Sequence, residues 1–186
     1  MMNDVLKGLG FTEGRVIETL LVTESEEGFN CAPIGVWSEG GYLWSKVHED
    51  SESYKNLSVE SRCTANIVDV GMLVEGLFTD LDITGGVVDG AGAVLRLAVV
   101  GFSVDGEWGL VKYSVDGVEV FDSCARGLCR AELCLLESAV HASRVGLDNS
   151  HVGFIGHYRE IIDKTGGRSE VELIDRLISN YGLDVE

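Results

Sequence analysis

From Val16 to Phe121 the chain alternates apolar and polar residues in short runs cut by glycine, and after Asp122 the apolar spacing becomes helical. That switch from period two to period 3.6 predicts an antiparallel β-domain followed by a helical region, with residues 1–124 and 125–186 as the two parts. Val16 to Glu24 reads as a strand, Glu26-Glu-Gly28 as a turn, Asn30 to Ser38 as the returning strand, and Glu39-Gly-Gly41 as a second turn into Tyr42 to Val47.

Beyond that meander, Ser51 or Ser53 caps a short helix running to about Val59, and Cys63 to Val70 forms a fourth strand. Met72 to Leu81 reads as a helix and Gly85 to Gly92 as a loose glycine-rich stretch. Val94–Val104, Trp108–Val115 and Val118–Phe121 read as strands joined by hairpins at Asp105-Gly106 and Asp116-Gly117. The helical part starts with one long helix from Arg126 to Val145. Asp148-Asn-Ser150 caps a second helix that ends at Gly166-Gly167, and Ser169-Glu-Val-Glu172 is the capping box of a third that stops at Gly182. That third helix gathers Val171, Ile174, Leu177, Ile178 and Tyr181 on one stripe. Neither an internal repeat nor a low-complexity segment is present.

Lys and Arg total 14 against 31 Asp and Glu, for a net charge of -17 spread along the whole sequence. A basic face for a nucleic-acid backbone is hardly available in such a chain, so nucleic acid is excluded as a partner and the acidity reads as a solvated surface. The N-terminal residues lack a basic leader with a long apolar run, and no segment has membrane-spanning length, so a cytoplasmic protein is expected. Five cysteines, with Cys31 and Cys63 inside apolar strands, point to reduced thiols rather than a disulfide framework.

The chemistry-bearing residues concentrate between Asn30 and Asp69. Asn30-Cys-Ala-Pro-Ile-Gly35, the Ser45-Lys46 pair, Ser53-Tyr-Lys-Asn-Leu57 and Cys63-Thr-Ala-Asn-Ile-Val-Asp69 follow as strand, strand, short helix and strand, with small, hydroxyl and basic residues at the junctions. That layout suits a phosphorylated planar cofactor. In this order the segments resemble the FMN-binding split-barrel superfamily, and within it the archaeal-type DUF447 family. Glu132 to Arg144 and Tyr158 to Gly167 are similar to that family's helical C-terminal part, so the resemblance spans nearly the whole chain. It implies a six-stranded antiparallel Greek-key barrel, mainly β with an α-helical appendage, forming a homodimer with FMN at the interface. It implies no particular reaction and no catalytic side chain.

Carried onto this sequence, the phosphate role falls to Ser45, Lys46, Ser53, Tyr54, Asn56 and Leu57, with the amides at the start of the short helix adding to it. An irregular backbone at Ala32, Pro33, Ile34 and Gly35 offers amides to the flavin edge; the other reading of Pro33, the sole proline, is a plain edge-strand stop. Asn66 interrupts an apolar strand, and its amide binds either the cofactor or neighbouring backbone. Lys55 and Arg62 are either phosphate donors or solvated charges, and Cys31 is either a redox thiol or a small buried residue. Arg130, Glu137, His141 and Arg144 share a helical stripe, read either as an internal ion network or as a contact with substrate or cofactor across a dimer. Taken as helical, Cys124, Cys129 and Cys134 turn about 140° per step of five and cannot converge on a metal. Two functions remain open: an oxidoreductase exchanging a hydride through FMN N5 with a small substrate, and a non-catalytic FMN carrier, store or regulator.

Overall fold

A computed structural model describes residues 2–148 and 150–185. The chain divides into two compact units, one holding the residues up to Glu13 with Ile17–Leu128, the other Gly14–Val16 with the residues from Cys129 on.

In the first unit, a short helix α1 (Met2–Gly8) precedes β1 (Val16–Ser25), β2 (Gly28–Glu39), β3 (Tyr42–His48), α2 (Glu52–Asn56), β4 (Arg62–Ile67), α3 (Val70–Glu75), β5 (Ile83–Thr84), β6 (Val87–Val88), β7 (Ala93–Asp105) and β8 (Trp108–Val120). Six of the strands close a barrel in the order β1-β2-β3-β8-β7-β4, the expected antiparallel Greek key. The closing ladder runs from Leu20↔Asn66 to Thr23↔Cys63. Period-two alternation places Leu43, Ser45, Val47, Val111, Tyr113, Leu95 and Leu97 in the barrel interior, each at most 2% exposed. The hydroxyls of Ser45 and Tyr113 lie 2.8 Å apart, so this buried polar pair satisfies itself. Helix α2 packs against β2 and β3. A Cβ on Gly109 would stand 2.8 Å from the rings of both Tyr54 and Phe102, so their edge-to-face contact at 5.3 Å requires glycine there.

Outside the barrel, Leu20 and Val22 pack with Val68, Val88 and Ala91 under the segment from α3 to β6. Asn66 fastens that cover. Its Nδ2 donates to Leu20 O at 3.3 Å, Thr64 Oγ1 at 3.2 Å and Gly86 O at 3.2 Å, while its Oδ1 accepts from Val88 N at 3.0 Å.

Several sequence expectations in this unit are corrected. Helix α2 stops at Asn56 instead of reaching Val59, because Leu57 turns extended (ψ 123°) and buries its side chain. Ser58 and Ser61 then bond to one another in a turn, with Glu60 at a left-handed φ of 76°. Strand β4 ends at Ile67 and not Val70, since Asp69 accepts from Met72 N and starts α3 two residues before the expected helix, which also ends early at Glu75. The glycine-rich stretch contains a small hairpin pairing Ile83↔Val88 and Thr84↔Val87. Asp116-Gly117 is no hairpin: Arg96 pairs with Gly117 and Leu97 with Val115, leaving Asp116 as an extra residue in a continuous β8. Gly106 takes the positive φ of a hairpin loop, 59°, and Gly117 does not.

The second unit contains α4 (Arg130–Ala142), α5 (Ser150–Thr165) and α6 (Arg168–Tyr181). Small buried residues at Ala131, Cys134, Ser138 and Ala142 give α4 a flat face for α5. Ile155, Ile162 and Ile174 fill the centre. Helix α4 begins at Arg130, four residues later than expected, and ends at Ala142. Asp148 accepts from Ser150 N at 2.9 Å, and Asn149 of the expected cap lies outside the described residues. The carboxylate pairing of α6 comes from Glu170, which accepts from Gly167 N at 2.9 Å, and not from the Ser169/Glu172 pair. Gly182 ends the helix at φ 58°. Of the stripe expected on α6, Ile174 is buried and Tyr181 is exposed.

Two tests follow from these contacts. Asn66→Ala leaves Val88 N short of a partner in a buried setting, while Gly86 O keeps the Thr64 hydroxyl as donor, and should lower stability by about 1–3 kcal/mol while speeding hydrogen exchange at Val88. Urea melts and amide exchange measure both; unchanged protection at Val88 would contradict the strap. Burial pushes the Cys63 thiol up to about 12 from an ordinary 9.0. Because the folded state holds this proton more tightly, its stabilising contribution is complete below the ordinary value and is lost as pH rises towards about 12. Melting temperatures should therefore fall less steeply above pH 9.0 in Cys63→Ala than in the parent.

Candidate functional site

The β2–β3 ladder runs only from Val36↔Ser45 to Glu39↔Tyr42, so residues 30–35 lie beyond its end. Ala32, Pro33, Ile34 and Gly35 are half-buried there. Pro33 has no N–H to donate, which suits a strand leaving its partner. Thr19 Oγ1 donates to Ile34 O at 2.9 Å and anchors the segment to β1. One further antiparallel step from Val36↔Ser45 leads from Gly35 to Lys46, whose side chain is on the exposed face of β3. A strip of small residues thus runs past the ladder beside an outward lysine.

At the α2 end, Asn30 Nδ2 donates to Ser53 Oγ at 2.9 Å and reaches Thr23 Oγ1 at 3.5 Å, while Asn56 Nδ2 donates to the same Thr23 Oγ1 at 3.2 Å. Ser53 and Asn56 are therefore brought together, along with Thr23 and Asn30, which the sequence reading left out of the site. The signal for them was a polar residue at an inward position on each of two paired strands. Tyr54 lies against Phe102, with its backbone N–H donated to the Ser51 hydroxyl at 3.1 Å.

Three expected ligands are engaged elsewhere. Ser45 is fully buried with its hydroxyl on Tyr113, because alternation turns it inwards when Lys46 points out. Leu57 is 5% exposed and belongs to the core. The Asn66 amide is used on both ends by Leu20, Thr64, Gly86 and Val88. The amides at the start of α2 offer little either, since the helix has five residues and Ser51 already caps it.

Lys55 is ion-paired with Glu52 at 2.5 Å on the surface. Cys31 is half-buried, and burial pushes its thiol up to about 11, so the thiolate that redox chemistry needs is scarce near neutral pH. Cys124 and Cys129 precede α4, so the helical-step argument does not apply to them. Cys124 is exposed while Cys129 and Cys134 are buried. Among the described residues no three His, Cys, Asp or Glu side chains gather to hold a metal ion. Nor is any helix among them long and apolar enough to cross a membrane. The α4 stripe forms no buried network, because Arg130, Glu137 and Arg144 are exposed. His141 instead meets His151 with 2.6 Å between their Nδ1 atoms and stacks on Phe154.

Solved structures show the same fold. An FMN-bound protein of the DUF447 family from Methanosarcina mazei is 22% identical, with a TM-score of 0.56 over 95% of this chain and 99% of that one. A structure described as a flavin reductase from Haemophilus somnus is 10% identical, with a TM-score of 0.51 over 69% of this chain and 91% of its own. The NADH:FAD oxidoreductase SgcE6 of Streptomyces globisporus, bound to NAD and FAD fragments, is 14% identical with a TM-score of 0.50, covering 62% of this chain and 82% of its own. No curated protein matches the sequence. The family model described as protein of unknown function (DUF447) N-terminal domain matches residues 17–115, and its C-terminal counterpart, protein of unknown function (DUF447), matches residues 129–179. Barrel and helical unit are both accounted for, and this chain belongs to the DUF447 family.

Proposed function

We propose that this chain is an FMN-binding flavoprotein and that it works as an oxidoreductase on a small substrate. The observation that carries the reading is the strip from Ala32 to Gly35, which leaves its ladder beside the outward Lys46. The FMN bound to the family member from Methanosarcina mazei supports the choice of cofactor. FMN supplies hydride exchange at N5 when bound.

The residues present fit such a cofactor in a particular way. Ala32, Pro33 and Gly35 are small, so a flat ring can approach the backbone of β2, and strand positions beyond the ladder leave groups for its polar edge. Lys46 provides a cation for the phosphate. Tyr54 and Asn56 border the same end of the barrel. Ser53 joins by exchanging its neutral bond with Asn30 for a charge-assisted bond to phosphate, which is the stronger of the two. Ser45, Leu57 and Asn66 take no part in this reading. With no acid or base side chain assigned, the protein's contribution is placement and electrostatics. A flavin carrier without turnover would use the same residues, and reduction by NADH or NADPH followed by reoxidation with a defined acceptor separates it from an enzyme.

We further propose a homodimer. Val70, Val74, Leu77 and Phe78 are 60%, 45%, 62% and 79% exposed around α3, an apolar ridge suited to burial against a second copy.

Purified protein should show a flavin spectrum, and fluorescence titration should rank FMN above FAD and riboflavin. Riboflavin binding as tightly as FMN would overturn the phosphate assignment. Lys46→Ala should weaken FMN by about 1.5–3 kcal/mol, with Lys164→Ala unchanged as the control. Light scattering should return about twice the 20.1 kDa of one chain. A mass of one chain at micromolar concentration would remove the second copy from the site.

A further inference from the structure

On the outside of the barrel, across β1, β4 and β7, lies an open cavity of about 370 Å³ that shares only Thr23 with the cluster at the α2 end and is lined by none of Ala32, Pro33, Gly35, Lys46, Ser53, Tyr54 and Asn56. Its size falls within the roughly 300–1,000 Å³ of small-molecule sites. Val22 and Phe29 supply apolar wall, and Arg62 and Arg96 supply two guanidinium groups. Glu24 and Asp116 line it and Glu119 pairs with Arg96 at its rim, so two arginines meet three carboxylates, against 14 to 31 over the chain. For this protein that is one of the less acidic places.

The strand order separates it from Lys46. In the ring β1-β2-β3-β8-β7-β4, β3 and β4 are three steps apart in either direction, so Lys46 and Arg62 stand on opposite walls of the barrel.

Both arginines are held in a way that leaves them usable. Arg62 Nε is 3.4 Å from Asp116 Oδ2, with the arginine side chain 82% exposed. An exposed ion pair of that kind is readily exchanged for a ligand carboxylate. Arg96 donates through Nε to Glu119 at 2.7 Å and through Nη1 to Gly85 O at 3.4 Å, which fixes its direction at the rim. The bulge at Asp116 is what brings that carboxylate to Arg62, and the ladder shift occurs at Arg96 itself. On the opposite rim, Gly86 has φ of 80° and a Cβ there would meet the Thr64 methyl at 3.1 Å, so the hairpin tip is fitted closely to β4.

We propose that this cavity binds a small organic carboxylate with an aromatic or alicyclic body, its carboxylate on Arg62 and Arg96 and its ring against Phe29 and Val22. A single negative charge suits the site better than a phosphate dianion, because Glu24 and Asp116 flank the arginines and repel the second charge. A planar carboxylate also matches the guanidinium fork in two parallel bonds. This inference does not depend on the flavin reading.

The test uses the protein as purified, with benzoate as probe, benzamide as its neutral counterpart and inorganic phosphate as the bare anion. Amide shifts at Thr64, Gly85 and Gly86 are followed by NMR, and flavin occupancy is read from the visible spectrum of the same sample. Benzoate should shift those amides saturably, and benzamide should not. Arg62→Gln and Arg96→Gln should each weaken benzoate about tenfold, the scale of one lost charge-assisted bond. Lys164→Ala should match the parent. Arg62 is exposed enough that its substitution leaves folding intact, and unchanged affinity in that variant would overturn the proposal. Equal binding of benzamide would remove the role of charge, and phosphate binding as tightly as benzoate would remove the role of the ring. Displacement of flavin by benzoate would merge this cavity with the cofactor site and overturn their separation, whereas failure of FMN to bind at all would leave the benzoate result standing.

Discussion

Pairing of β1 with β4 closes the barrel, and most of what the first unit does depends on that ladder. A closed ring has no free edge, so every strand residue is assigned either to the interior or to the outside. Closure therefore decides that Ser45 faces Tyr113 and that Lys46 faces solvent. It also sends Leu20 and Val22 outwards as a pair, where they need a cover of their own. The segment from α3 to β6 provides it, and the Asn66 amide ties that cover to the same ladder that closes the ring. A buried amide with all its contacts made is a strong constraint, since its loss strips the buried Val88 N–H of its partner.

The fold was legible because its signals are local. Alternation, glycine turns and the change to helical spacing fix the strand sequence, and the order of four short segments is enough to point to the family. Positions at the site were harder to read. Ser45 and Lys46 are adjacent in sequence and both polar, and only their register against β8 shows that one is interior and the other exposed. Asn66 was open between two roles, and its four partners come from β1, β4 and the β5–β6 hairpin, three places that a single strand's sequence does not specify. Asp116-Gly117 carries a hairpin signal that tertiary structure overrides, because β7 continues opposite it and β8 runs on with Asp116 as a bulge. Arg126 to Cys129 have helical composition, yet Leu128 O accepts from Glu18 N and Gly127 N donates to Leu9 O, so that backbone is already taken by β1 and the N-terminal segment.

Scarcity of positive charge gives each cation more weight in this chain than its type would suggest. Many lysines and arginines here answer to a neighbouring carboxylate, as Lys55 does to Glu52 and Arg159 to Asp163 and Asp175. Arg15 is the extreme case, 6% exposed and set between Glu132 and Glu170 in the helical unit. A buried guanidinium between two carboxylates is there for the fold, because removing either acid would strand its charge. Lys46, Arg62 and Arg96 differ in being exposed on barrel strands whose inward neighbours are wholly apolar or self-satisfied. The interior does not need them, and closure of the ring holds the backbone beneath them rigid. A rigid strand carrying an exchangeable cation can bind an anion without first ordering a loop, which reduces the entropy lost on binding. In a protein with a net charge of -17, such positions are the few from which anionic ligands are not repelled at the outset.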